Sequence, residues 1–207
     1  KEELQSSTDE LGERSNIEYI LGQHRFEDID WADLIIRNPA LKPDNSYLQY
    51  AAKKNKSVEM DLGILLQFIS TDRLIGVTGT KGKSTTASLI YEALLAGHIK
   101  VALAGNIGKS MLDSIYQLDD RTYLVLELSS FQLQALETHH QSPKWAVITN
   151  IYPDHLNYHG TMEEYIGAKK LIAQYQKEGD YLFLGSDDEV TSNDKFTKDL
   201  RTQKIYF

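Results

Sequence analysis

A short apolar run that stops at a glycine-rich turn and passes directly into a helical pattern constrains this chain more than any other feature. Leu74 to Val77 form the run, residues 78–86 read Thr-Gly-Thr-Lys-Gly-Lys-Ser-Thr-Thr, and apolar residues then recur with helical spacing. Strand, glycine turn and helix in this order are the context of a phosphate-binding P-loop. Glycines let successive N–H groups turn towards phosphate oxygens, and the following helix points its positive end at the same place.

Side chains must contribute binding free energy in addition to that of the backbone N–H groups and the helix dipole. A helix dipole contributes at most ~2 kcal/mol, whereas micromolar binding corresponds to about 8 kcal/mol. We therefore expect Lys83 to give the phosphates a full positive charge, and Ser84 or Thr85 to offer a hydroxyl to a magnesium ion. The predicted phosphate-binding residues are Gly79, Thr80, Lys81, Gly82, Lys83, Ser84 and Thr85.

The spacing departs from the strict P-loop pattern at one position. The pattern G-x-x-x-x-G-K-[ST] would place glycine at position 77, where this chain has valine. The alternative is therefore a glycine turn that only joins a strand to a helix. Gly-Lys-Ser-Thr at a helix start favours nucleotide binding.

Composition excludes several classes of function. A hydrophobic content of 41% in 207 residues is enough for a real core, and the net charge of −8 argues against non-specific binding to nucleic acid or anionic membrane. The absence of cysteine excludes disulfides, a zinc-thiolate site and a cysteine nucleophile, and it is consistent with a reducing cytosol. No apolar run approaches the ~18 residues of a membrane span, and no signal peptide opens the chain.

Predicted strands alternate with predicted helices, which is typical of a parallel sheet. After a polar lead-in or weak helix at residues 1–16, we expect strands at 17–21, 31–37, 57–60, 74–77, 100–104, 122–128, 144–151 and 181–184. We expect one helix after Asn45, one at 62–69, one directly after the P-loop, and one that follows the segment 105–108 and runs through Leu118. Further along the chain we expect one or two helical turns at 131–136, a long helix at 161–177 and a weak helix at 187–200. Thr161 and Glu164 have the spacing of a capping box.

Polar residues follow four consecutive strands, and ligands of an open parallel sheet bind at that edge. They are the P-loop, Asn106, Glu127 and the segment 150–155. Glu127 is the most informative, because a carboxylate directly after a buried run is costly unless a cation or hydrogen bonds meet it. A magnesium ion on triphosphate oxygens would meet it, whereas the alternative is an acid at a solvated strand end.

Other polar residues are ambiguous from chemistry alone. Histidine is an unusual magnesium ligand, so His155 is equally well explained as a surface residue. Lys169 and Lys170 resemble a solvated basic face, with no chemical reason to choose between them, and His139 and His140 resemble plain surface residues.

These residues together resemble the Mur ligase family, and the match extends over residues 74–190. The P-loop has that family's glycine spacing, and Glu-Leu-Ser-Ser-Phe-Gln-Leu at 127–133 resembles the members that add D-glutamate. Three further motifs occur in the family's order: Gly-Asn-Ile-Gly at 105–108, Thr-Asn-Ile at 149–151 followed by Asp-His-Leu at 154–156, and Gly-Ala-Lys at 167–169.

The resemblance implies roles for individual residues. Lys83 with Ser84 and Thr85 would hold the β- and γ-phosphates of ATP and a first Mg²⁺, and Asn106 and Glu127 would complete that site. His155 would bind a second Mg²⁺. Lys169, chosen over Lys170 by alignment alone, would be carbamylated and meet a metal. The implied catalytic residues are Lys83, His155 and Lys169, and the implied metal ligands are Ser84, Glu127, His155 and Lys169.

The resemblance also implies a reaction. A cytoplasmic, monomeric ligase of peptidoglycan synthesis would use ATP and Mg²⁺ to convert the carboxylate of UDP-N-acetylmuramoyl-L-alanine into an acyl phosphate, which the amine of D-glutamate then attacks. Positioning and charge neutralisation would supply most of the catalysis.

The same resemblance gives a fold and domain expectation. We expect an α/β protein with a partial N-terminal UDP-binding, Rossmann-like domain and linker at residues 1–72, and an incomplete P-loop parallel-sheet ATPase domain at 73–207. The C-terminal domain would be absent, so we expect this chain alone not to be a competent ligase.

Two short segments depart from the family. Asn157-Tyr158 replaces the common Asp-Arg, which puts any substrate or metal contact by that pair in doubt, and Asn38-Pro39-Ala40 replaces Ser-Pro-Gly. The alternatives to a D-glutamate-adding enzyme are another Mur or folylpolyglutamate-type ligase, or a non-catalytic P-loop module.

Overall fold

The structure is a computed structural model that describes residues 9, 12, 14–107 and 110–207. Most of the predicted lead-in at residues 1–16, and Gly108 of the glycine motif at 105–108, lie outside the described residues. The chain divides into two compact units, Lys1–Ile35 with Pro43–Val58, and Ile36–Lys42 with Glu59–Phe207. No helix in the described part is long and apolar enough to cross a membrane.

In the described part of the first unit, α1 (Phe26–Trp31) and α2 (Ser46–Lys53) are helical. Strands β1 (Leu34–Ile36) and β2 (Ser57–Glu59) pair in a two-stranded sheet at the boundary of this unit. The side chain of Asn45 caps α2 by accepting from the N–H of Tyr47, and Phe26 packs against Tyr47 with ring centroids 4.7 Å apart.

Two expectations for this unit are wrong. The strand predicted at residues 17–21 does not form, because this run pairs with no other strand among the described residues. The strand predicted at 31–37 is shorter, because Trp31 ends helix α1 instead. Apolar runs this short form strands only where a neighbour accepts their backbone hydrogen bonds.

The second unit is an α/β structure built on a six-stranded parallel sheet, which confirms the predicted fold class. The strand order is β4-β5-β3-β6-β7-β8, and every pairing in the sheet is parallel. The strands are β3 (Leu74–Thr78), β4 (Val101–Gly105), β5 (Tyr123–Glu127), β6 (Trp145–Ile148), β7 (Tyr181–Leu184) and β8 (Gln203–Tyr206).

Helices connect these strands and cover the sheet. They are α3 (Asp61–Leu65), α4 (Lys83–Ala96), α5 (Met111–Ser114), α6 (Gln134–His139), α7 (Leu156–His159), α8 (Met162–Gln174) and α9 (Asp194–Thr197), with 3₁₀ turns at Thr71–Arg73 and Ile115–Gln117. Helix α8 begins as predicted, with the Thr161 side chain accepting from the N–H of Glu164.

Apolar residues pack on both faces of the sheet. Alternate residues of β3 face opposite sides, so Leu74 belongs to the larger core cluster, and Ile75 and Val77 belong to the cluster that packs against α4. Strand β3 is central and buried at all five positions. The glycine turn that follows it therefore starts from the most constrained part of the fold.

The helix predicted at 187–200 is mostly not formed, and only α9 is helical. The carboxylate of buried Asp188 accepts from the N–H groups of Ile151 and Thr191. These bonds fix a turn after β7 and compete with helix formation. The helix predicted at 62–69 also ends early, at Leu65.

Candidate functional site

The glycine turn after β3 has the geometry of an anion-binding helix start. Gly82 has a left-handed φ of 81° and caps the 14-residue helix α4. The first helical bond runs from the N–H of Thr86 to the carbonyl of Gly82. The N–H groups of Gly82, Lys83, Ser84 and Thr85 thus have no partner within the helix, and they are the groups that a phosphate at this end would accept from.

Two of the predicted phosphate binders use their backbone N–H groups inside the protein. The N–H of Thr80 donates to the carbonyl of Asn150, at 2.9 Å, and the N–H of Lys81 donates to Asn150 Oδ1, also at 2.9 Å. The N–H groups that the loop still offers therefore begin at Gly82. The sequence pattern does not distinguish these two sets of N–H groups.

Gly79 is required for steric reasons. A Cβ at this position would collide with Thr149 Oγ1. This oxygen in turn donates to the carbonyl of Lys81 at 2.6 Å. The turn and the end of β6 thus approach more closely than a side chain at position 79 would allow.

A cavity of about 430 Å³ lies at the carboxyl edge of the sheet. Its lining includes five of the predicted site residues. The lining residues are Asn38, Pro39, Ala40, Asp61, Gly79, Lys83, Asn106, Ser129, Ser130, Phe131, Gln132, Asp154, His155, Tyr165 and Lys169. Three of the four predicted strand ends, the P-loop, Asn106 and the segment 150–155, therefore meet at one cavity, whereas Glu127 is not among the lining residues.

The Lys83 side chain lies at this cavity and folds back on the loop. Its Nζ donates to the carbonyl of Thr80 at 3.0 Å. Ser84 and Thr85 are exposed on the first turn of α4. One ammonium group and two hydroxyls are therefore available near the helix start, where an anion would bind.

Glu127 ends β5 beside the P-loop strand and is only 4% exposed. Its Oε2 has no hydrogen-bond partner among the residues that the structure describes. A buried carboxylate oxygen without a partner is unfavourable and fits a divalent cation. Asn106 is exposed, and its N–H donates to the carbonyl of Glu127 at 3.1 Å.

The described residues contain no cluster of three His, Asp or Glu side chains that could enclose a metal. That finding does not argue against Mg²⁺ on a nucleotide, since such ions take one or two carboxylates and complete their shell with phosphate oxygens and water. The single orphaned oxygen of Glu127 fits this kind of site.

The structure distinguishes the two lysines that the sequence left equivalent. Lys169 is 2% exposed, and its Nζ donates to the carbonyl of Gly79 at 2.8 Å and lies 4.7 Å from the centre of the Tyr165 ring. Burial, reinforced by the charge of Lys83, lowers the pKa of Lys169 to about 7. Lys170 instead points to Asp199, with 3.9 Å between Nζ and Oδ2.

His155 lies at the start of α7 with a left-handed φ of 50°. Its Nε2 is 3.4 Å from Asp154 Oδ2, and its ring is 5.0 Å from Phe131. The side chain is 46% exposed at the cavity. The imidazole is thus oriented by neighbours on one side and open to a ligand on the other.

His159 and Tyr165 are buried parts of the same region that the sequence analysis did not single out. His159 Nε2 is 2.9 Å from Ser130 Oγ, and its ring stacks on Phe131. Burial, with the charges that His155 and Lys169 carry when they are protonated, lowers the pKa of His159. Tyr165 Oη is 3.1 Å from Thr80 Oγ1. The position of Tyr165 one helical turn before Lys169 was the available signal.

Asp61 was also not predicted. It lies at the start of α3, lines the cavity, and has a carboxyl pKa raised mainly by burial. Its Oδ1 accepts from the N–H of Leu62.

The sequence analysis predicted that His139 and His140 are plain surface residues, and this prediction is wrong for His139. His139 is half-buried, and its Nε2 is 3.2 Å from Glu59 Oε2. His140 is exposed, as expected. The surface reading failed for His139 because the partner is 80 residues away in the sequence.

The two departures from the family pattern lie at this end of the sheet. Residues 38–40 line the cavity. Tyr158 packs edge-on against Phe131 with centroids 4.5 Å apart, and the carbonyl of Asn157 accepts from Lys42 Nζ at 2.8 Å.

Several known proteins resemble this chain in sequence. Residues 77–206 match the family model of the Mur ligase middle domain. The chain is 44% identical over 178 residues to the UDP-N-acetylmuramoylalanine–D-glutamate ligase of Borreliella afzelii, covering 86% of this chain and 38% of the relative. It is 40% identical over 189 residues to the ligase of the same name from Roseiflexus sp., covering 91% of this chain and 40% of that relative. The chain thus spans about two fifths of the length of the curated relatives it matches.

Solved structures support the fold. The UDP-N-acetylmuramate:L-alanyl-gamma-D-glutamyl-meso-diaminopimelate ligase of Neisseria meningitides matches with a TM-score of 0.59 at 13% identity, over 88% of this chain and 61% of that one. The MurF ligase of Thermotoga maritima, solved in complex with ADP, matches with a TM-score of 0.51 at 19% identity, over 84% of this chain and 46% of that one.

Proposed function

The chain belongs to the Mur ligase family, and from that membership we propose that it forms the ATP-binding core of a ligase that adds D-glutamate to UDP-N-acetylmuramoyl-L-alanine. One observation carries the proposal. The P-loop, Lys83, Lys169, His155 and the turn at 129–132 all line one cavity. That turn belongs to the motif which resembles the D-glutamate-adding members.

The N–H groups at the start of α4 are placed to donate hydrogen bonds to the oxygens of a triphosphate. Lys83 lies 3.0 Å from the Thr80 carbonyl, a neutral partner that a phosphate would displace. The exposed hydroxyls of Ser84 and Thr85 lie on the same turn. We assign these groups to the β- and γ-phosphates of ATP.

Glu127 and Ser84 would hold a first Mg²⁺, and His155 with a carbamylated Lys169 would hold a second. When bound, these ions neutralise charge on the phosphoryl oxygens. The contribution of this chain is to present one buried carboxylate with an unused oxygen at the end of β5, and one half-exposed imidazole at the cavity.

The environment of Lys169 supports carbamylation. Its pKa of about 7 leaves a large neutral fraction at neutral pH, and only a neutral amine attacks carbon dioxide. The product nitrogen keeps one N–H, which is enough for the bond that Nζ now makes to the Gly79 carbonyl. Carbamylation would also replace a buried cation by an anion facing Lys83.

The reaction needs positioning more than covalent assistance. The carboxylate of the L-alanyl end would attack the γ-phosphoryl group in line, giving an acyl phosphate and ADP. The D-glutamate amine would then attack the acyl carbon, and phosphate would leave. Lys83 supplies charge that follows the phosphoryl oxygens through the first step.

The place and organisation of the protein are part of the proposal. We place it in the cytoplasm as a monomer. Residues 1–72 would be part of a UDP-substrate-binding domain, and residues 73–207 part of the ATP-binding domain.

The test is a chimera in which this chain replaces the matching segment of the Borreliella afzelii ligase. We expect ADP release that requires both UDP-N-acetylmuramoyl-L-alanine and D-glutamate and that is lost in Glu127→Ala. Nucleotide binding without substrate-dependent turnover would instead favour a non-catalytic P-loop module. Turnover with a different amino acid would favour another ligase of the family.

A further inference from the structure

The side chain of Asn150 pairs with both backbone polar groups of Lys81. Asn150 Oδ1 accepts from the N–H of Lys81 at 2.9 Å, and Asn150 Nδ2 donates to the carbonyl of Lys81 at 3.0 Å. Thr149 Oγ1 donates to the same carbonyl at 2.6 Å. Two consecutive side chains thus satisfy the N–H and the carbonyl of one residue of the P-loop.

Backbone bonds extend this arrangement. The carbonyl of Asn150 accepts from the N–H of Thr80 at 2.9 Å, and Thr80 Oγ1 accepts from the N–H of Tyr152 at 3.0 Å. Backbone groups of two consecutive residues in the middle of the loop, Thr80 and Lys81, are therefore bonded to the segment that follows β6. The N–H groups of Gly82 and of the next residues, at the start of α4, take no part in these bonds.

The segment that makes these bonds is itself anchored. The N–H of Ile151 donates to Asp188 Oδ2 at 2.9 Å, and Asp188 is 4% exposed. Ile151 is 2% exposed within the larger core cluster. The loop is thus bonded to a support that has little freedom to move.

We propose that Thr149 and Asn150 are positioning residues that hold the P-loop in its phosphate-binding shape before nucleotide arrives. This rests on the proposed function, since it requires that the loop binds a nucleotide phosphate. A loop of glycines and small polar residues would otherwise lose conformational entropy at the moment of binding. The clamp, defined as the bonds from Thr149 and Asn150 to Thr80 and Lys81, removes that cost in advance.

The chemistry of the clamp requires an amide. Asparagine offers an acceptor and a donor in one plane, which matches the N–H and the carbonyl of a single residue. Aspartate keeps the acceptor for the Lys81 N–H but directs a charged oxygen at the Lys81 carbonyl. Asn150→Asp is therefore a near-isosteric variant that reverses one contact only.

The experiment measures both the protection of the loop amides and the affinity for nucleotide. Amide hydrogen exchange is followed at Thr80 and Lys81 in the 207-residue chain without nucleotide, and the Kd for a non-hydrolysable ATP analogue with Mg²⁺ is measured by calorimetry. The variants are Asn150→Ala, Asn150→Asp and Thr149→Val, with Thr149→Ser as the conservative rescue. Asn193→Ala is the matched control, because Asn193 also accepts from a backbone N–H but caps α9.

We expect Asn150→Ala to speed exchange at Lys81 at least tenfold and to weaken binding at least tenfold, with exchange in central strand β3 unchanged. Asn150→Asp and Thr149→Val should weaken binding by smaller factors, and Thr149→Ser should bind like the wild type. The two milder variants give the same test if Asn150→Ala does not fold.

Three results would overturn the proposal. Unchanged exchange at Lys81 in Asn150→Ala would show that the clamp does not hold the loop. Faster exchange with an unchanged Kd would show that the clamp does not position the phosphate site. No binding by the wild type, with a protected Lys81 amide, would overturn the proposed function and the positioning role with it.

Discussion

The Nζ of Lys169 donates a 2.8 Å hydrogen bond to the carbonyl oxygen of Gly79, and this bond joins helix α8 to the turn that follows β3. The two residues are 90 positions apart in the sequence. A buried lysine in this position brings a titratable amine to the edge of the phosphate-binding loop. Its protonation state therefore affects both the stability of the fold and the chemistry available at the cavity.

The lowered pKa of Lys169 predicts an unusual pH dependence of stability. Between the folded pKa of about 7 and the ordinary value of 10.5, the unfolded chain binds the proton more strongly, so the free energy of unfolding rises with pH. Below about pH 7 the full cost of burying the charged lysine lowers the free energy of unfolding, and above the ordinary pKa of 10.5 this cost has disappeared. Relative to Lys169→Met, the wild type should gain up to ~1.4 kcal/mol per pH unit in this window.

Urea unfolding of both proteins, in buffer freed of carbon dioxide, measures this difference. A constant difference between wild type and Lys169→Met from about pH 7 to about pH 10 would show that Lys169 titrates like an exposed lysine. Lys170→Met is the control, because Lys170 is paired with Asp199 and has no comparable burial.

Glu127→Gln should remove most of the magnesium dependence of nucleotide binding. The substitution keeps the shape of the side chain but removes the charge of the orphaned oxygen. We expect the ratio of affinities with Mg²⁺ and with EDTA to fall at least tenfold, by titration calorimetry. The exposed Glu137→Gln on α6 controls for the loss of one charge, and an unchanged ratio in Glu127→Gln would exclude this residue as a magnesium ligand.

Two glycines of the loop should respond differently to alanine. At Gly82 a Cβ meets nothing within 4 Å, so Gly82→Ala incurs only the strain of its left-handed φ, about 1–2 kcal/mol. At Gly79 a Cβ collides with Thr149 Oγ1, so Gly79→Ala should cost more in unfolding free energy and should also weaken nucleotide binding. Equal losses of stability in the two variants would contradict the close approach of β6 to the loop.

His159 predicts a second pH effect, at acid pH. Its folded pKa lies below the ordinary 6.5, so the unfolded chain takes up the proton first as pH falls. The free energy of unfolding should therefore fall below about pH 6.5, and the loss should become constant below the folded pKa. The wild type should lose more stability than His159→Gln between about pH 7 and about pH 5.

The variant His24→Gln is the control, because it removes a histidine at an exposed position. Its loss of stability with falling pH should match that of the wild type. If His159→Gln and the wild type lose stability in parallel, the imidazole is not held neutral by burial beside Ser130.

Local patterns were sufficient to predict the parts of the site that depend on neighbours in sequence. The run before Gly79, the glycine turn and the helix start are contiguous, and the structure places them as expected. Glu127 was recognised because it ends an apolar run, and the structure buries it. Parallel-sheet topology then predicted that the strand ends would meet at one edge.

Contacts between distant segments could not be predicted in this way. The Asn150–Lys81 pair spans 69 residues, and no local pattern marks Asn150 as a partner of the loop rather than of a ligand. The choice between Lys169 and Lys170 depends on which side of α8 faces the sheet. The strand predicted at 17–21 failed for the converse reason, since its apolar residues pair with no strand in the part of the chain that the structure describes.

Calorimetric titration of a non-hydrolysable ATP analogue with Mg²⁺ into the 207-residue chain tests the central assignment most directly. We expect binding by the wild type, a loss of at least tenfold in Lys83→Ala, and unchanged binding in Lys177→Ala, which removes an exposed lysine outside the cavity. Binding of equal strength by Lys83→Ala and the wild type would contradict a phosphate site at this loop. Absence of binding by a wild-type chain that melts cooperatively would contradict the account of the chain as a formed nucleotide site.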